Sequence, residues 1–356
     1  MKKTTFGKAL FGIAAGLFVG LSLNCVSDLP PISGSAGNSG HGGGQVAIAG
    51  NNGTAGDNST SSGGLPVIID TSHIGGNPVV DAGNADVATG PDPWPPTGFT
   101  NVTSVTVGAY ALGPQMTSPS DAGAAGGSGG PTRPATACTA LYGVVRDFKM
   151  GTKPGGHPDF ETAPVGIETG IVATTLGPDN KPVYAATGRQ PQKSTTGPDN
   201  FNQWYNDTPG VNMPYVLALQ MVDVNGTASF QATLPNSFFP LDNAGFGNEG
   251  QDPSGKSRNF SFTTEIHTAF QYKGGETFSF SGDDDVWVFI NNQLVIDLGG
   301  RHAQTTKSVQ IDSLNLQKDG IYELAVFHAE RHTNQSNFEI QTTLSFTDCG
   351  SIVIQR

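Results

Sequence analysis

The chain has 356 residues, of which 13% are charged and 36% hydrophobic, and it contains 49 Gly and 24 Pro. Gly- and Pro-rich stretches bury too little apolar surface to form a core, so the composition predicts one folded domain with long tails rather than two ordinary domains. A formal net charge of −12 argues against nucleic acid or an anionic membrane surface as a partner and favours a cation.

The N-terminus has the pattern of an export signal. Lys2, Lys3 and Lys8 precede an uncharged apolar run over residues 9–23. That run is about 15 residues long, whereas a membrane-spanning helix needs about 20, so a signal peptide over residues 1–24 is favoured over a membrane anchor. The sequence therefore predicts an exported protein.

Directly after the apolar run, residues 21–25 read LSLNC. This segment resembles the lipobox of bacterial lipoproteins, in which the cysteine is lipidated and becomes the mature N-terminus. Ser22 and Asn24 depart from the residues that the lipobox favours. The resemblance implies lipidation of Cys25 and a place on the outer membrane or cell surface, with lipid as the only membrane contact. The alternative is ordinary signal cleavage, which would give a secreted protein.

The cysteine count also bears on whether Cys25 is lipidated. The chain has three cysteines, and an odd number in an exported protein leaves one thiol to explain. If Cys25 carries lipid, Cys138 and Cys349 remain, and they flank the segment that holds the core. We predict a disulfide between them, with two free thiols as the alternative.

Two segments precede that core. Residues 25–98 are low in complexity and rich in Gly, Ser, Asn and Pro, which predicts a long disordered, flexible spacer. Residues 99–137 combine a strand-like run, from Val102 to Leu112, with a Gly/Ala-rich linker. We predict a β-segment there that can dock on the domain as an extra strand.

Residues 138–350 hold most of the aromatic side chains and alternate apolar with polar residues in several runs, including residues 277–281, 286–290, 322–327 and 338–346. Alternation with a period of two, broken by Gly, Asn and Asp turns, is typical of strands. We see no amphipathic helix of about 12 residues or more. The fold class predicted is all-β, an antiparallel β-sandwich or barrel-like domain.

An acidic cluster, Asp283, Asp284 and Asp285, lies between two of these strands. Adjacent carboxylates repel one another, so a cation that neutralises them is favoured. Oxygen ligands without Cys or His suit Ca²⁺ better than zinc. The alternative from the residues alone is a solvated acidic turn.

Motifs at both ends and in the middle of residues 138–349 resemble the fibro-slime domain, a family similar to the lectin-like β-sandwich of the protective-antigen type. The segments that carry this resemblance are LYGVVRDF at 141–148, HPDFE at 157–161, FFPLD at 238–242, NFSFTTEI at 259–266, the block at 282–302 and AERHTNQSNF at 329–338. The resemblance implies a calcium-dependent lectin.

In the lectin relatives, two aspartates joined by a cis peptide bond chelate calcium, and the ion binds sugar hydroxyls. By position before the strand at 286–290, the resemblance implies that Asp284 and Asp285 form this pair, with Asp283 as a third ligand or an outer charge. A second loop, over residues 332–337, is implied to complete the site.

Within that second loop, Asn337 is the first candidate ligand and Asn334 the next. A turn residue that satisfies backbone donors is the alternative role for Asn337. Should the ligand bind elsewhere, the aromatic loop around Trp204 and Tyr205 is the expected place.

These observations predict a surface-anchored, calcium-dependent module that binds an extracellular glycan or matrix polysaccharide in adhesion. The alternative is a structural matrix or protein-interaction domain whose loops calcium stiffens. A polysaccharide hydrolase is the third possibility. Of the three possibilities we favour binding, so we expect no enzymatic activity.

Overall fold

The computed structural model describes residues 94–117, 138–163, 165–185, 194–233 and 237–350. The predicted signal peptide, Cys25 and nearly all of the predicted spacer lie outside these residues. No helix in the described ranges is both long enough and apolar enough to cross a membrane.

The larger sheet has nine antiparallel strands, with neighbours in the order β1-β2-β6-β3-β11-β16-β13-β14 and with β18 also paired to β11. Its strands are β1 (Asn101–Ser104), β2 (Ala109–Gln115), β3 (Ala140–Phe148), β6 (Asn212–Gln220), β11 (Phe262–Gln271), β13 (Asp285–Ile290), β14 (Gln293–Leu298), β16 (Ile321–Glu330) and β18 (Ser345–Asp348).

The smaller sheet has five antiparallel strands in the order β15-β12-β17-β8-β7. Its strands are β7 (Val222–Val224), β8 (Thr227–Ala232), β12 (Thr277–Gly282), β15 (Thr305–Gln310) and β17 (Phe338–Thr342). Two further hairpins pair β4 (Val172–Leu176) with β5 (Pro182–Tyr184) and β9 (Gly250–Gln251) with β10 (Ser257–Arg258).

Helical structure is confined to two short elements in the part of the chain that the structure describes: a one-turn α-helix at Pro198–Phe201 and a 3₁₀ turn at Ile311–Leu314. The antiparallel β-sandwich predicted from the alternating runs is therefore confirmed.

Alternation along β13 explains how the sandwich is filled. Val286, Val288 and Ile290 belong to the main core together with inward side chains of the smaller sheet such as Phe278 and Phe280. Successive side chains of a strand point to opposite faces. Trp287 and Phe289 accordingly join a second cluster, with Phe148, Phe160, Phe201, Trp204, Tyr205 and Phe327. All six residues of β13 are buried because both of its faces are covered.

The segment before Cys138 is part of the larger sheet. Strand β2 pairs with β6, from Tyr110 opposite Leu219 to Gln115 opposite Tyr215, and β1 forms the edge beyond it. Phe99 and Met116 pack with Val144 and Val216 in a third buried cluster. The β-segment expected near residues 99–114 is thus docked as two strands rather than one.

Cys138 and Cys349 form a disulfide with their Cα atoms 5.3 Å apart, which confirms the predicted pairing. Beside it, the amide of Tyr142 donates to the carbonyl of Cys349 at 2.9 Å. The bridge joins the two ends of the segment that contains most of the core.

Two connections cross between the sheets at the same end of the sandwich. The link from β12 to β13 contains Asp283 and Asp284, and the link from β16 to β17 spans residues 331–337. Because β13 pairs with β16 and β12 pairs with β17, these two links lie side by side. This topology brings the acidic cluster next to the HTNQSN segment, which lies about 50 residues later in the chain.

Candidate functional site

The two links border a cavity of about 270 Å³. Its lining comes from three segments: the acidic link, the loop that follows β14 and the loop that follows β16. The lining residues are Asp283, Asp284, Arg301, His302, Ala303, His332, Thr333, Asn334 and Gln335.

Asp283 is fixed by Asn337. The amide N–H of Asn337 donates to Oδ1 of Asp283 at 2.6 Å, and its Nδ2 donates to Oδ2 at 2.9 Å. The side-chain oxygen Oδ1 of Asn337 is buried and has no hydrogen-bond partner among the described residues. A buried carbonyl oxygen without a donor is costly unless something else occupies it.

Asp284 is held from the other side of the link. Its Oδ2 accepts the backbone N–H of Arg331 at 2.9 Å, and the peptide bond between Asp283 and Asp284 is cis. Both side chains line the cavity. The cis pair therefore lies one residue earlier than the sequence resemblance implied, which placed it at Asp284 and Asp285.

The acidic link holds more negative charge than the nearby cations neutralise. Burial raises the pKa of Asp283. Burial also raises the pKa of Asp284 well above its usual value; the charges of Asp283 and Asp285 add to this shift, and the charge of Arg331 opposes it. Glu330, at the end of β16, also has a strongly raised pKa, first through burial and then through Asp284 and Asp283. Like charges brought together out of water favour protons or a cation among them.

Asp285 has a different environment, which corrects its expected role as half of the chelating pair. Its Oδ2 accepts the Nε–H of Arg331 at 2.5 Å, and its Oδ1 accepts the amide of Gly300 at 2.6 Å. Both residues of the Asp285–Arg331 ion pair are fully buried. The Asp285 side chain is absent from the cavity lining because it begins β13 and points to the opposite face of that strand from Val286.

The loop over residues 331–337 is tied to its surroundings at both ends. Thr333 donates to the carboxylate of Glu161 through its amide at 3.0 Å and its hydroxyl at 2.8 Å. Ser336 exchanges bonds with Phe238: its hydroxyl donates to the Phe238 carbonyl at 2.6 Å and its carbonyl accepts the Phe238 amide at 2.8 Å. Asn334, whose bond to Thr333 is cis, lines the cavity.

Arg301 and His302 form the opposite wall. Nε and Nη2 of Arg301 donate to the carbonyl of Ala163, at 2.9 and 2.6 Å, and Nη1 donates to that of Ser194 at 2.9 Å. The ring nitrogens of His302 lie 2.8 and 3.1 Å from the carbonyls of Ala303 and Leu298. Backbone carbonyls thus engage the polar atoms of both side chains, which act as supports of this wall.

Trp204 and Tyr205 do not form an exposed ligand-binding loop. Both are buried in the second aromatic cluster, where the Trp204 ring is tilted against that of Trp287 and Tyr205 contacts Phe327 edge-on. The indole N–H of Trp204 donates to Asp159 at 3.1 Å, and its ring lies 4.4 Å from the guanidinium carbon of Arg331. Covered on all sides, these aromatic side chains contribute packing.

Two further residues belong to this site, although they are not among the site residues predicted from the sequence. Arg331 donates to Asp284 and Asp285 and, through Nη1, to the carbonyls of Asp159 at 2.8 Å and Ser194 at 2.7 Å. Glu330 extends the acidic cluster. Glu330 could have been found from the alternation along β16, where Leu324 and Val326 face the main core. The long-range partners of Arg331 left no signal in the local sequence.

The oxygen atoms available at the acidic link suit a hard cation. Calcium takes carboxylate and amide oxygens, and the link offers the Asp283 and Asp284 carboxylates beside the unpartnered Oδ1 of Asn337. Within the described ranges no group of three or more His, Cys, Asp and Glu side chains is arranged to hold a metal. A bound cation would therefore use two carboxylates completed by neutral oxygens.

Comparison with known proteins agrees with the sandwich. Residues 225–355 match the PA14 domain family, so the chain contains a PA14 domain, and the β-sandwich is the fold of that domain. This segment includes both links that border the cavity.

Relatives with longer matches include psi proteins of Dictyostelium discoideum.

 Protein psiQ of that organism is 38% identical over 213 residues, which make up 55% of this chain and 21% of psiQ. Protein psiD is 40% identical over 213 residues, which make up 57% of this chain and 40% of psiD. The chain spans about a fifth to two fifths of the length of these curated relatives.

Among solved structures, a PA14 sugar-binding domain from an RTX adhesin is 8% identical to this chain. The match covers 59% of this chain and 96% of that domain, with a TM-score of 0.26.

Proposed function

We propose that the PA14 domain binds one calcium ion at Asp283 and Asp284 and, through that ion, the hydroxyl groups of a carbohydrate. The observation that carries the proposal is the acidic link itself, where two buried carboxylates with raised pKa values border one cavity. Asn337, which donates to Asp283, adds a buried amide oxygen that has no partner among the described residues. A dication at this place would offset the repulsion between the carboxylates.

The proposal assigns each residue a definite task. Asp283 and Asp284 supply the negative charge, and Oδ1 of Asn337 supplies a neutral oxygen. Asn334 and Gln335 border the same cavity from the second loop, where their amides can contact a bound sugar. Calcium would contribute a Lewis-acidic centre that accepts sugar oxygens as ligands.

Carbohydrate binding is supported by the class of domain, because PA14 domains serve as sugar-binding and adhesion modules. An extracellular glycan or matrix polysaccharide is therefore the partner we propose, and binding without turnover is the activity. The fibro-slime resemblance of residues 138–349 supports the same role.

The second candidate function is a structural or protein-interaction domain in which calcium only stiffens the loops. It is favoured by the close ties of the 331–337 loop to Glu161 and Phe238, which already make that loop part of the fold. Under this alternative calcium would raise the melting temperature without creating a sugar site.

For location, we propose export and attachment to the outer membrane or cell surface by lipid on Cys25. The charged N-terminus, the apolar run and the lipobox-like residues 21–25 support this placement. Mass spectrometry of the mature N-terminus tests it. An unmodified N-terminus at another residue would overturn it and favour secretion.

Calorimetric titration of calcium into the purified protein, followed by a glycan array with calcium and with chelator, tests the proposed function. We expect one calcium site and glycan binding that chelator abolishes. Asp284→Asn should weaken calcium binding about tenfold or more, since it removes one formal charge from an all-oxygen site. Asp199→Asn, at an exposed aspartate in the one-turn helix, is the matched control and should bind as the wild type does.

The outcomes of that experiment distinguish the proposed function from its alternatives. Absence of calcium binding by the wild type would refute the ion site. Calcium binding without any glycan would refute carbohydrate recognition and favour the structural alternative. Glycan binding that survives both Asp284→Asn and chelator would move the sugar site away from the acidic link.

A further inference from the structure

His328 is a polar residue in the centre of an apolar core. It lies on β16 between β11 and β13, opposite Thr264 on one side and Val286 on the other. Two-residue alternation places it on the same face of β16 as Leu324 and Val326, which belong to the main core. Its side chain is fully buried.

Aromatic rings surround the imidazole. The ring centroids of Phe238, Phe262, Phe280 and Phe338 lie 6.1, 5.9, 6.5 and 5.2 Å from that of His328. Burial of a polar ring among such groups costs free energy unless a hydrogen bond compensates for lost water. An aromatic or aliphatic residue would fill this space at lower cost, so the hydrogen bond is the property that distinguishes histidine here.

That hydrogen bond runs to the acidic link. Nε2 of His328 lies 2.8 Å from the backbone carbonyl oxygen of Asp283. Because a carbonyl only accepts, Nε2 must carry the proton and donate it. Nδ1 has no hydrogen-bond partner among the described residues, so the contact with Asp283 is the polar interaction that the side chain makes there.

The Asp283 carbonyl needs such a donor. Strand β12 ends at Gly282 and β13 begins at Asp285, so Asp283 has no partner in the ladder of either sheet. A buried carbonyl outside a ladder must be satisfied by a side chain or water. His328 donates to this carbonyl from the core. Asn337 donates to the carboxylate of the same residue.

We infer that His328 is a positioning residue for the proposed ion site: it holds the Asp283 backbone so that the carboxylates of Asp283 and Asp284 border the cavity together. As far as calcium is concerned, this inference rests on the proposed function. Its structural part, control of the acidic link from the core, applies to the calcium-free protein as well.

Three variants separate this role from simple packing. His328→Leu removes the donor and keeps an apolar side chain in the cage. His328→Gln can place its Nε2 donor near the position of the histidine Nε2, whereas the amide of the shorter His328→Asn ends near the position of Nδ1. We expect calcium binding about tenfold or more weaker in the Leu and Asn variants and restored by Gln to within about threefold of wild type.

A readout without metal accompanies the titration. In calcium-free protein, NMR resonances of the backbone amides of Asp284 and Asn337 should move in His328→Leu and return toward wild-type positions in His328→Gln. Unmoved resonances in a folded Leu variant would overturn the inference, whether or not the wild type binds calcium. A wild type that binds no calcium, with resonances that respond as expected, would refute the proposed function alone.

The calcium titration has its own decisive outcomes. Wild-type affinity in His328→Leu, or equal weakening in the Leu and Gln variants, would overturn the positioning role. If the Leu variant fails to fold, the comparison of Gln with Asn decides, because both introduce an amide of the same chemistry and differ in where the donor ends.

Discussion

Arg331 forms a fully buried ion pair with Asp285, the aspartate that directly follows the two carboxylates at the cavity. The pair gives the three consecutive acids separate tasks. Asp285 compensates Arg331, whose Nη1 reaches back to the carbonyls of Asp159 and Ser194. Asp283 and Asp284 are left without a matching pair of cations, which concentrates negative charge at the cavity.

The first prediction contrasts two neighbouring aspartates. Asp285→Asn should lower the free energy of unfolding by about 3–5 kcal/mol, because removal of one partner leaves a buried arginine uncompensated. Asp284→Asn should leave stability in chelator unchanged or raised, since it removes a repelling charge from the acidic link. Chemical denaturation of both variants in the presence of chelator measures the difference.

A result in which both variants lose similar stability would contradict this division of tasks. Asp199→Asn again provides the control, because Asp199 is exposed and is not a member of the ion pair. Its stability should lie within about 0.5 kcal/mol of wild type.

The second prediction concerns Trp204, which the sequence suggested as a ligand contact. Trp204→Ala should cost about 3–5 kcal/mol of stability, since it leaves a cavity in the second aromatic cluster. Trp204→Phe retains much of the ring and should cost less. In a glycan-binding assay at a temperature where the variants remain folded, both should bind glycan as the wild type does. Loss of glycan binding by folded Trp204→Phe would show instead that Trp204 contacts the ligand.

The sequence predicted the sandwich because alternation is a local property of each strand. The stretch from Val286 to Ile290 shows it plainly, and the acidic residues before it were conspicuous in charge. Which two of three consecutive aspartates border the cavity was not predictable locally. That choice depends on Arg331, about 46 positions away in the chain, and on the crossing of the link between two sheets.

Aromatic residues illustrate the opposite difficulty. Trp204 and Tyr205 follow a Gly-, Pro- and Asp-rich stretch, which is typical of surface loops. The structure buries them because that segment packs on the outer face of β13 and β16, where Trp204 contacts Trp287 and Tyr205 contacts Phe327. A second layer on a sheet face is a tertiary feature, so local composition could not distinguish a core aromatic from an exposed one.

The third prediction concerns the disulfide. Cys138 and Cys349 are separated by 211 positions, and cross-linking a loop of that length removes chain entropy from the unfolded state worth up to about 5 kcal/mol. The double variant Cys138→Ser, Cys349→Ser should therefore unfold at a lower temperature than the oxidised wild type. A reducing agent should lower the melting temperature of wild type and leave that of the double variant unchanged.

Equal melting temperatures for oxidised wild type and the double variant would contradict the stabilising role of the bridge. Peptide mapping without reductant supplies the chemical check, since the Cys138 and Cys349 peptides should migrate as one species.

The fourth prediction tests whether the β1–β2 hairpin belongs to the domain. Phe99 packs in the third cluster together with Val216, and its ring lies close to Gly113. Phe99→Ala should cost about 3–5 kcal/mol in one cooperative transition of the whole domain. Val102→Ala, on the same hairpin but 43% exposed, should cost about 0.5 kcal/mol or less. Similar small effects for both would show that the hairpin is detached from the domain in solution.

The last prediction concerns a buried charge network on β11, away from the cavity. Glu265 accepts Nη1 of Arg146 and Nζ of Lys181, both at 2.7 Å, and lies 3.0 Å from Nε2 of His267. Nδ1 of His267 lies 2.9 Å from Glu323. Burial opposes protonation of His267, but the bonds to Glu265 and Glu323 outweigh it and raise its pKa to about 9.

A histidine whose pKa is higher in the folded than in the unfolded state stabilises the fold when it is protonated. The contribution is complete below its ordinary pKa of about 6.5 and is lost as the pH rises through about 9. A shift of this size limits the loss to about 3 kcal/mol, at about 1.4 kcal/mol for each pKa unit. The free energy of unfolding should therefore decrease between about pH 6.5 and pH 9.

Denaturation at intervals across that pH range, with wild type and His267→Gln, measures the effect. The Gln variant should be less stable than wild type near pH 6 and should lack most of the decline, so the two stabilities converge as the pH approaches about 9. Parallel curves for the two proteins would show that the decline comes from other groups and that the pKa of His267 is the same in the folded and unfolded states.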